Sequence, residues 1–222
     1  MTDGLSQSFV FGPKLGPTLA FQRWQNIPDR GALLTYQGSV FLESYSEDSP
    51  SSLYVEAGYK RRGSTERRFF NASAANAFSA RQSYIFNNVN LIAGAKRIIK
   101  MDREAKPYYI LGIRAEYTVS TNLEQFEQFA PWAPAEVFVN RFNYGVSVGG
   151  GFQFNLAELV GAAIEFSIHP DISVQFDQPP LDNIINPFSN SVNRLSLPQQ
   201  QIRNISLEIS AVLRLNRIVE FQ

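Results

Sequence analysis

The residues that could do chemistry in this sequence are few. Its one histidine, His169, stands in Ser167-Ile168-His169-Pro170-Asp171, a run carrying a hydroxyl, an imidazole and a carboxylate. Those are the groups of a nucleophilic hydrolase, in which imidazole takes the serine proton. Close spacing along one strand gives poor triad geometry, and a polar residue at the mouth of a barrel accounts for the same run. Glu43, Glu56, Glu116, Glu165 and Glu208 could supply paired carboxylates for acid–base work. They alternate onto the same face as Lys14, Lys60, Lys96, Arg114 and Arg214, so structural ion pairing is the simpler use. A metal site needs histidines or a tight carboxylate cluster, and a chain without cysteine has neither a thiolate site nor a disulfide framework. Gly149-Gly150-Gly151 lacks the following helix and the Lys-Ser/Thr pair of a phosphate loop. No catalytic, metal-binding or cofactor-binding residue is assigned, and the chain reads as non-enzymatic.

The elements that must position these residues are strands. Period-two alternation of apolar and polar residues marks a strand with two different faces, and it recurs in eight segments. The first runs from Phe9 to Gln22; the second carries Leu34, Tyr36, Val40 and Leu42; the third Leu53, Val55, Ala57 and Tyr59. The fourth carries Val89, Leu91, Ala93 and Ala95, and the fifth Tyr109, Leu111, Ile113, Ala115 and Tyr117. The sixth alternates from Phe142 to Phe154, the seventh from Ala162 to Ile168, and the eighth from Ile205 to Leu215. Several exceed the roughly five or six residues of strands in soluble proteins and reach the 9–11 or so of a tilted membrane strand. Connections alternate in length. Those over 46–52, 100–106 and 155–159 are short; those over 63–81, 120–140 and 177–200 are long. The pattern predicts an all-β fold, an eight-stranded antiparallel up-and-down transmembrane β-barrel with short periplasmic turns and long extracellular loops. It forms a single domain over residues 1–222.

Composition agrees. Lys plus Arg and Asp plus Glu number 20 each, so nothing in the charge points to nucleic acid. No apolar run is long enough for a transmembrane helix. Met1-Thr2-Asp3-Gly4 lacks a basic segment followed by an apolar one, so the expectation is a mature exported chain with an added Met. The polar face of the strands carries Lys14, Glu43, Glu56, Lys60, Lys96, Arg114, Glu116, Glu165, Glu208 and Arg214, five acids and five bases. Enclosed in a narrow lumen these can pair, which matters because an isolated buried charge costs several kcal/mol, roughly. Aromatics toward the strand ends, such as Phe21, Tyr109, Tyr117 and Phe142, read as girdles at two membrane interfaces. Arg61, Arg62, Arg67 and Arg68 form a basic cluster suited to lipopolysaccharide phosphates. Phe126, Phe129, Trp132 and Phe138 in one long loop, with Leu181, Ile184, Ile185 and Phe188 in the next, need burial against a partner or against each other. A soluble lipocalin-like barrel, with the apolar face turned inward, is the structural alternative.

Several of these segments also resemble the PorT-like outer-membrane β-barrel proteins of the Bacteroidetes. The likeness lies in Phe11-Gly12-Pro13-Lys14-Leu15-Gly16-Pro17-Thr18-Leu19 and in Tyr54-Val55-Glu56-Ala57-Gly58-Tyr59-Lys60-Arg61-Arg62-Gly63. It continues in Pro107-Tyr108-Tyr109-Ile110-Leu111-Gly112 and Tyr144-Gly145-Val146-Ser147-Val148-Gly149-Gly150-Gly151. The resemblance implies a small barrel in the bacterial outer membrane, in contact with its lipid and lipopolysaccharide. It also implies a protein partner in an envelope complex such as the type IX secretion machinery. A transport or ligand-uptake barrel and an outer-membrane lipid-modifying enzyme are the alternative functions.

Overall fold

The computed structural model describes residues 7–26, 30–45, 49–71, 77–101, 104–129, 134–185 and 194–219. Eight long strands account for most of them: β1 (Gln7–Trp24), β2 (Gly31–Tyr45), β3 (Ser51–Asn71), β4 (Ala77–Ile98), β5 (Lys106–Thr121), β6 (Phe142–Asn155), β7 (Val160–Pro170) and β11 (Gln200–Val219). Between β7 and β11 lie three short ones, β8 (Phe176–Gln178), β9 (Leu181–Ile185) and β10 (Arg194–Leu197). Two 3-10 helices, Leu123–Phe129 and Glu136–Phe138, occupy the connection between β5 and β6. Among the described residues no helix is long and apolar enough to cross a membrane.

The expected eight-stranded up-and-down barrel is corrected here. The described residues hold eleven strands in two sheets, one of nine strands in the order β1-β2-β3-β4-β5-β6-β7-β11-β8 and one of two, β10-β9. The difference arises in the stretch 177–200, which the sequence pattern assigns to a loop. There β8 adds to β11 beyond the end of β7, pairing Phe176 with Ile202, and β9 and β10 form a separate ribbon. A second correction concerns residues 63–81. β3 and β4 stay paired from Ser51↔Arg97 out to Asn71↔Ala77, so most of that expected loop is a continuous antiparallel ribbon.

β1 pairs with β2 on one side and with β11 on the other. The β1–β11 ladder skips Gly12-Pro13 and Gly16-Pro17, because proline has no N–H to give it. The glycines allow close approach: a Cβ on Gly12 would sit 1.9 Å from the Leu213 carbonyl oxygen, and one on Gly16 1.9 Å from that of Ile209.

Burial is inverted relative to a water-soluble protein. Outward positions carry large apolar side chains that the protein itself leaves exposed, among them Leu34 at 72%, Leu53 at 72% and Ile113 at 71%. Inward positions carry lysine, arginine, glutamate and asparagine at a few per cent exposure or less. This arrangement is opposite to that of a lipocalin-like barrel and suits a hydrocarbon solvent outside.

Candidate functional site

The chemistry of this chain is concentrated inside the wall, where alternate residues of every long strand converge. All ten charged residues expected on the polar face point inward and are buried. They form stacked layers. Nearest the short turns, Glu43 of β2 takes Lys96 of β4 at 2.9 Å and Arg214 of β11 at 3.7 Å, and the Lys96 ammonium lies 4.3 Å from the Tyr108 ring. One layer higher, Lys14 of β1 is held between Glu56 of β3 at 2.8 Å and Glu165 of β7 at 2.5 Å. Tyr54 and Tyr108 donate their hydroxyls to those same carboxylates, at 2.7 and 2.9 Å. Lys60 follows, 2.8 Å from Glu208 and 3.7 Å from Glu56. In the next layer Arg62 meets Glu116 at 2.7 Å and Arg114 ion-pairs with both Glu116 and Asp171. Among the described residues the lumen thus sets Lys14, Lys60, Arg62, Lys96, Arg114 and Arg214 against Glu43, Glu56, Glu116, Glu165, Asp171 and Glu208. Charges of both signs, equal in number, interleave across a narrow space, which offsets the cost of burying each one.

Above the ion pairs lies a layer of amides, with Gln22 donating to Asn204 at 3.0 Å and Asn204 bonded to Gln175. Above that, toward the long loops, Trp24, Tyr84, Phe86, Leu123, Phe126, Phe176 and Ile202 pack into one apolar cluster. Arg30 covers it, its guanidinium 4.0 Å from the Trp24 ring and 4.7 Å from the Tyr84 ring, and pairs with Glu66 at 2.6 Å. At the opposite end Val10, Phe41, Tyr54, Tyr108, Ile110, Ala163 and Val212 form a second apolar cluster. The lumen is therefore filled by side chains at both ends and cross-linked between them. A cavity of about 340 Å³ lies against the apolar outer side chains Leu91, Ala93, Ile113, Ala115, Tyr144 and Val146.

His169 belongs to the charged stack. Its Nε2 is 3.1 Å from Glu208 and 3.0 Å from the Ser167 hydroxyl, with the Lys60 ammonium at 3.4 Å. A hydrolytic triad needs the carboxylate on one ring nitrogen and the serine on the other. Here both fall on the same nitrogen, and the imidazole is 1% exposed. The arrangement fixes the lumen and gives a substrate no approach.

Two solved structures share the architecture. Neisserial surface protein A matches with a TM-score of 0.53 at 11% identity, over 93% of this chain and 96% of its own. The outer membrane protein OprG from Pseudomonas aeruginosa matches with a TM-score of 0.53 at 9% identity, over 95% and 96%. No family model and no curated protein matches the sequence. The chain has the fold of an outer-membrane β-barrel. The matches support that level of description and not the PorT-like family in particular.

The barrel places the remaining expected residues as follows. Arg62, expected in a phosphate-binding loop, is instead wholly buried against Glu116. Its signal was in the sequence, because it continues the even-numbered inward face of Tyr54, Glu56 and Lys60. Asp171 likewise continues the odd-numbered inward face of Glu165, Ser167 and His169. Arg61 does face outward, 5.1 Å from the Tyr36 ring, its Nε donating to Asn87 at 3.2 Å. The side chains of Arg67 and Arg68 lie outside the described residues. Phe126, expected to be buried against a partner or against its neighbours, is buried in the mouth cluster, and Phe138 packs against it, so these two rings take the internal alternative and close the mouth of the barrel. Leu181 and Ile184 are half-buried on the β9–β10 ribbon. Trp132 and Phe188, and the side chains of Phe129 and Ile185, lie outside the described residues.

Proposed function

We propose that this protein is an integral outer-membrane barrel that works through its outer wall and its surface ribbons, as a non-enzymatic docking or accessory subunit of an envelope machine. The observation that carries this reading is the filled lumen. Transport through the wall needs a path, and here ion pairs and two apolar clusters occupy the interior from end to end. What the barrel offers to other molecules is outside.

The β3–β4 ribbon is the most prominent such feature. A membrane strand needs only about 9–11 residues, whereas β3 has 21 and β4 has 22. The apolar outward run on β3 ends at Tyr59, so the paired segment from Gly63 to Asn71 extends past the apolar band. A paired ribbon holds its shape and presents a preformed surface to a partner. The β9–β10 ribbon at the same end adds a second, with Leu181 and Ile184 on it.

The PorT-like resemblance of the strand motifs makes type IX secretion the machine to test first. Deleting the gene in its host should deplete the secreted proteins in the medium, and complementation should restore them. A complementing barrel lacking 64–80 should fold but fail to restore secretion or to retain its copurifying proteins. An unchanged set of secreted proteins would remove the secretion assignment. A truncated ribbon that retained every partner would remove the docking role.

A further inference from the structure

On the outer surface of the wall, where β1 meets β11, Arg23 lies directly across from Arg203. Both side chains are exposed. Directly opposed residues on antiparallel strands have Cβ atoms about 4.5–5.5 Å apart, and like charges so placed repel. Among the described residues neither guanidinium has a carboxylate partner. Asp177, opposite Gln201 on β8, takes its hydrogen bonds from Gln199 at 2.8 Å and Gln201 at 3.3 Å. Among the described residues the arginines inside the wall, Arg62, Arg114 and Arg214, are each matched to an acid, and this outer pair is not.

Its height explains it. Two residues nearer the membrane centre, Phe21 faces Ile205, and the outward positions below continue as Leu19, Leu207 and Ile209. The arginines are therefore the first polar outward residues above the apolar band, at the level of lipid headgroups on the long-loop side. Elsewhere on the wall Arg61 follows the last outward apolar residue of β3, Tyr59, and stands beside Tyr36, and an aromatic–arginine boundary is the usual lining of a membrane interface. Two guanidinium groups on neighbouring strands offer enough donors for the oxygens of one phosphate group, and a bridging dianion would turn their repulsion into attraction.

We propose that Arg23 and Arg203 form a binding site for the phosphate of an anionic lipid headgroup in the leaflet facing the long loops. The proposal rests on the outer-membrane reading above. It goes beyond that reading in assigning the headgroup to one strand pair, at the seam that joins the first strand to the last.

The test uses the full chain refolded into phosphatidylcholine nanodiscs with and without diphosphorylated lipid A, and the double variant Arg23→Gln/Arg203→Gln. Folding is checked by the mobility difference between unboiled and boiled samples, so a chain that forms no barrel would fail there and overturn the membrane reading itself. Lipid A should raise the resistance of the wild type to urea, and the double variant should lose about tenfold or more in lipid A affinity. In phosphatidylcholine alone the variant should be as resistant as wild type or more so, since a repulsive pair has been removed. That reversal of sign is the signature a merely structural role would not give. Wild-type protein titrated with dephosphorylated lipid A supplies an independent arm and should show no gain. The proposal is overturned if the variant keeps the full lipid A effect, if dephosphorylated lipid A works as well, or if inorganic phosphate alone reproduces the gain, which would assign a free anion.

Discussion

Replacing Lys14 by methionine tests whether the lumen is held by its charge matching. Lys14 is the shared cation of two carboxylates, Glu56 at 2.8 Å and Glu165 at 2.5 Å, and all three side chains are at most 5% exposed. The consequences for the two acids differ. Glu56 keeps Lys60 at 3.7 Å and the Tyr54 hydroxyl. Glu165 keeps only the Tyr108 hydroxyl at 2.9 Å, and no other ion pair is recorded for it among the described residues. Methionine fills most of the lysine volume, so the loss is electrostatic rather than a packing void. Removing one partner of a buried pair costs about 3–5 kcal/mol, because the remaining charge is neither hydrated nor paired. Most of it should fall on Glu165. Neutralising that residue as well, in Lys14→Met/Glu165→Gln, should recover about half of the loss or more, since a glutamine can still accept from Tyr108. The assay is urea unfolding of the refolded barrel in lipid vesicles, followed by indole fluorescence and by heat-dependent migration, with exposed Lys100→Met as the control. A loss of about 4 kcal/mol is nearly a thousandfold in the folding equilibrium. A Lys14→Met barrel as stable as wild type would refute the charge-matching argument. So would a double variant no better than the single one.

Three other outcomes follow from the geometry. Planar bilayers carrying the wild-type barrel should show no stepwise ion conductance, and Trp24→Ala/Phe126→Ala should not open one, because the ion pairs beneath the mouth cluster still cross the lumen; a stable channel in either would overturn the filled-lumen reading. Gly12→Ala should cost at least about 3 kcal/mol or prevent folding, since its Cβ would meet the Leu213 backbone, whereas Gly38→Ala should cost less than about 1 kcal/mol because it meets only the tip of Leu15, at 3.0 Å; refolding yields and urea midpoints of the two variants make the comparison. His169→Ala should lower stability by about 1–3 kcal/mol through loss of its contacts to Glu208 and Ser167, while phospholipid and lipid A incubated with either form stay intact by mass spectrometry; hydrolysis abolished by the substitution would restore the enzymatic alternative.

Alternation alone determined which residues face lipid and which face the lumen. Between two sharply different solvents a strand has one workable register, and a one-residue slip would put charges into hydrocarbon. That is why the inward set from Lys14 to Arg214 could be read from parity, and why the same parity, carried two residues further, would have turned Arg62 and Asp171 inward. The signal fades where the outward face no longer meets hydrocarbon and need not be apolar. Beyond Arg61 the run Arg62-Gly63-Ser64-Thr65-Glu66-Arg67-Arg68 carries no alternate apolar residues and so resembled a loop, although its backbone pairing runs on to Asn71. β8, β9 and β10, of three, five and four residues, are too short to show a period, and with them the eleven-strand, two-sheet architecture was hidden. The tertiary structure decided everything that depends on which strands are neighbours across the lumen: that Lys14 lies between β3 and β7, that Phe126 closes the mouth, and that Arg23 meets Arg203 at the β1–β11 seam. Those pairs are 42 to 180 residues or so apart in sequence, and a pattern confined to one strand holds no information about its partner.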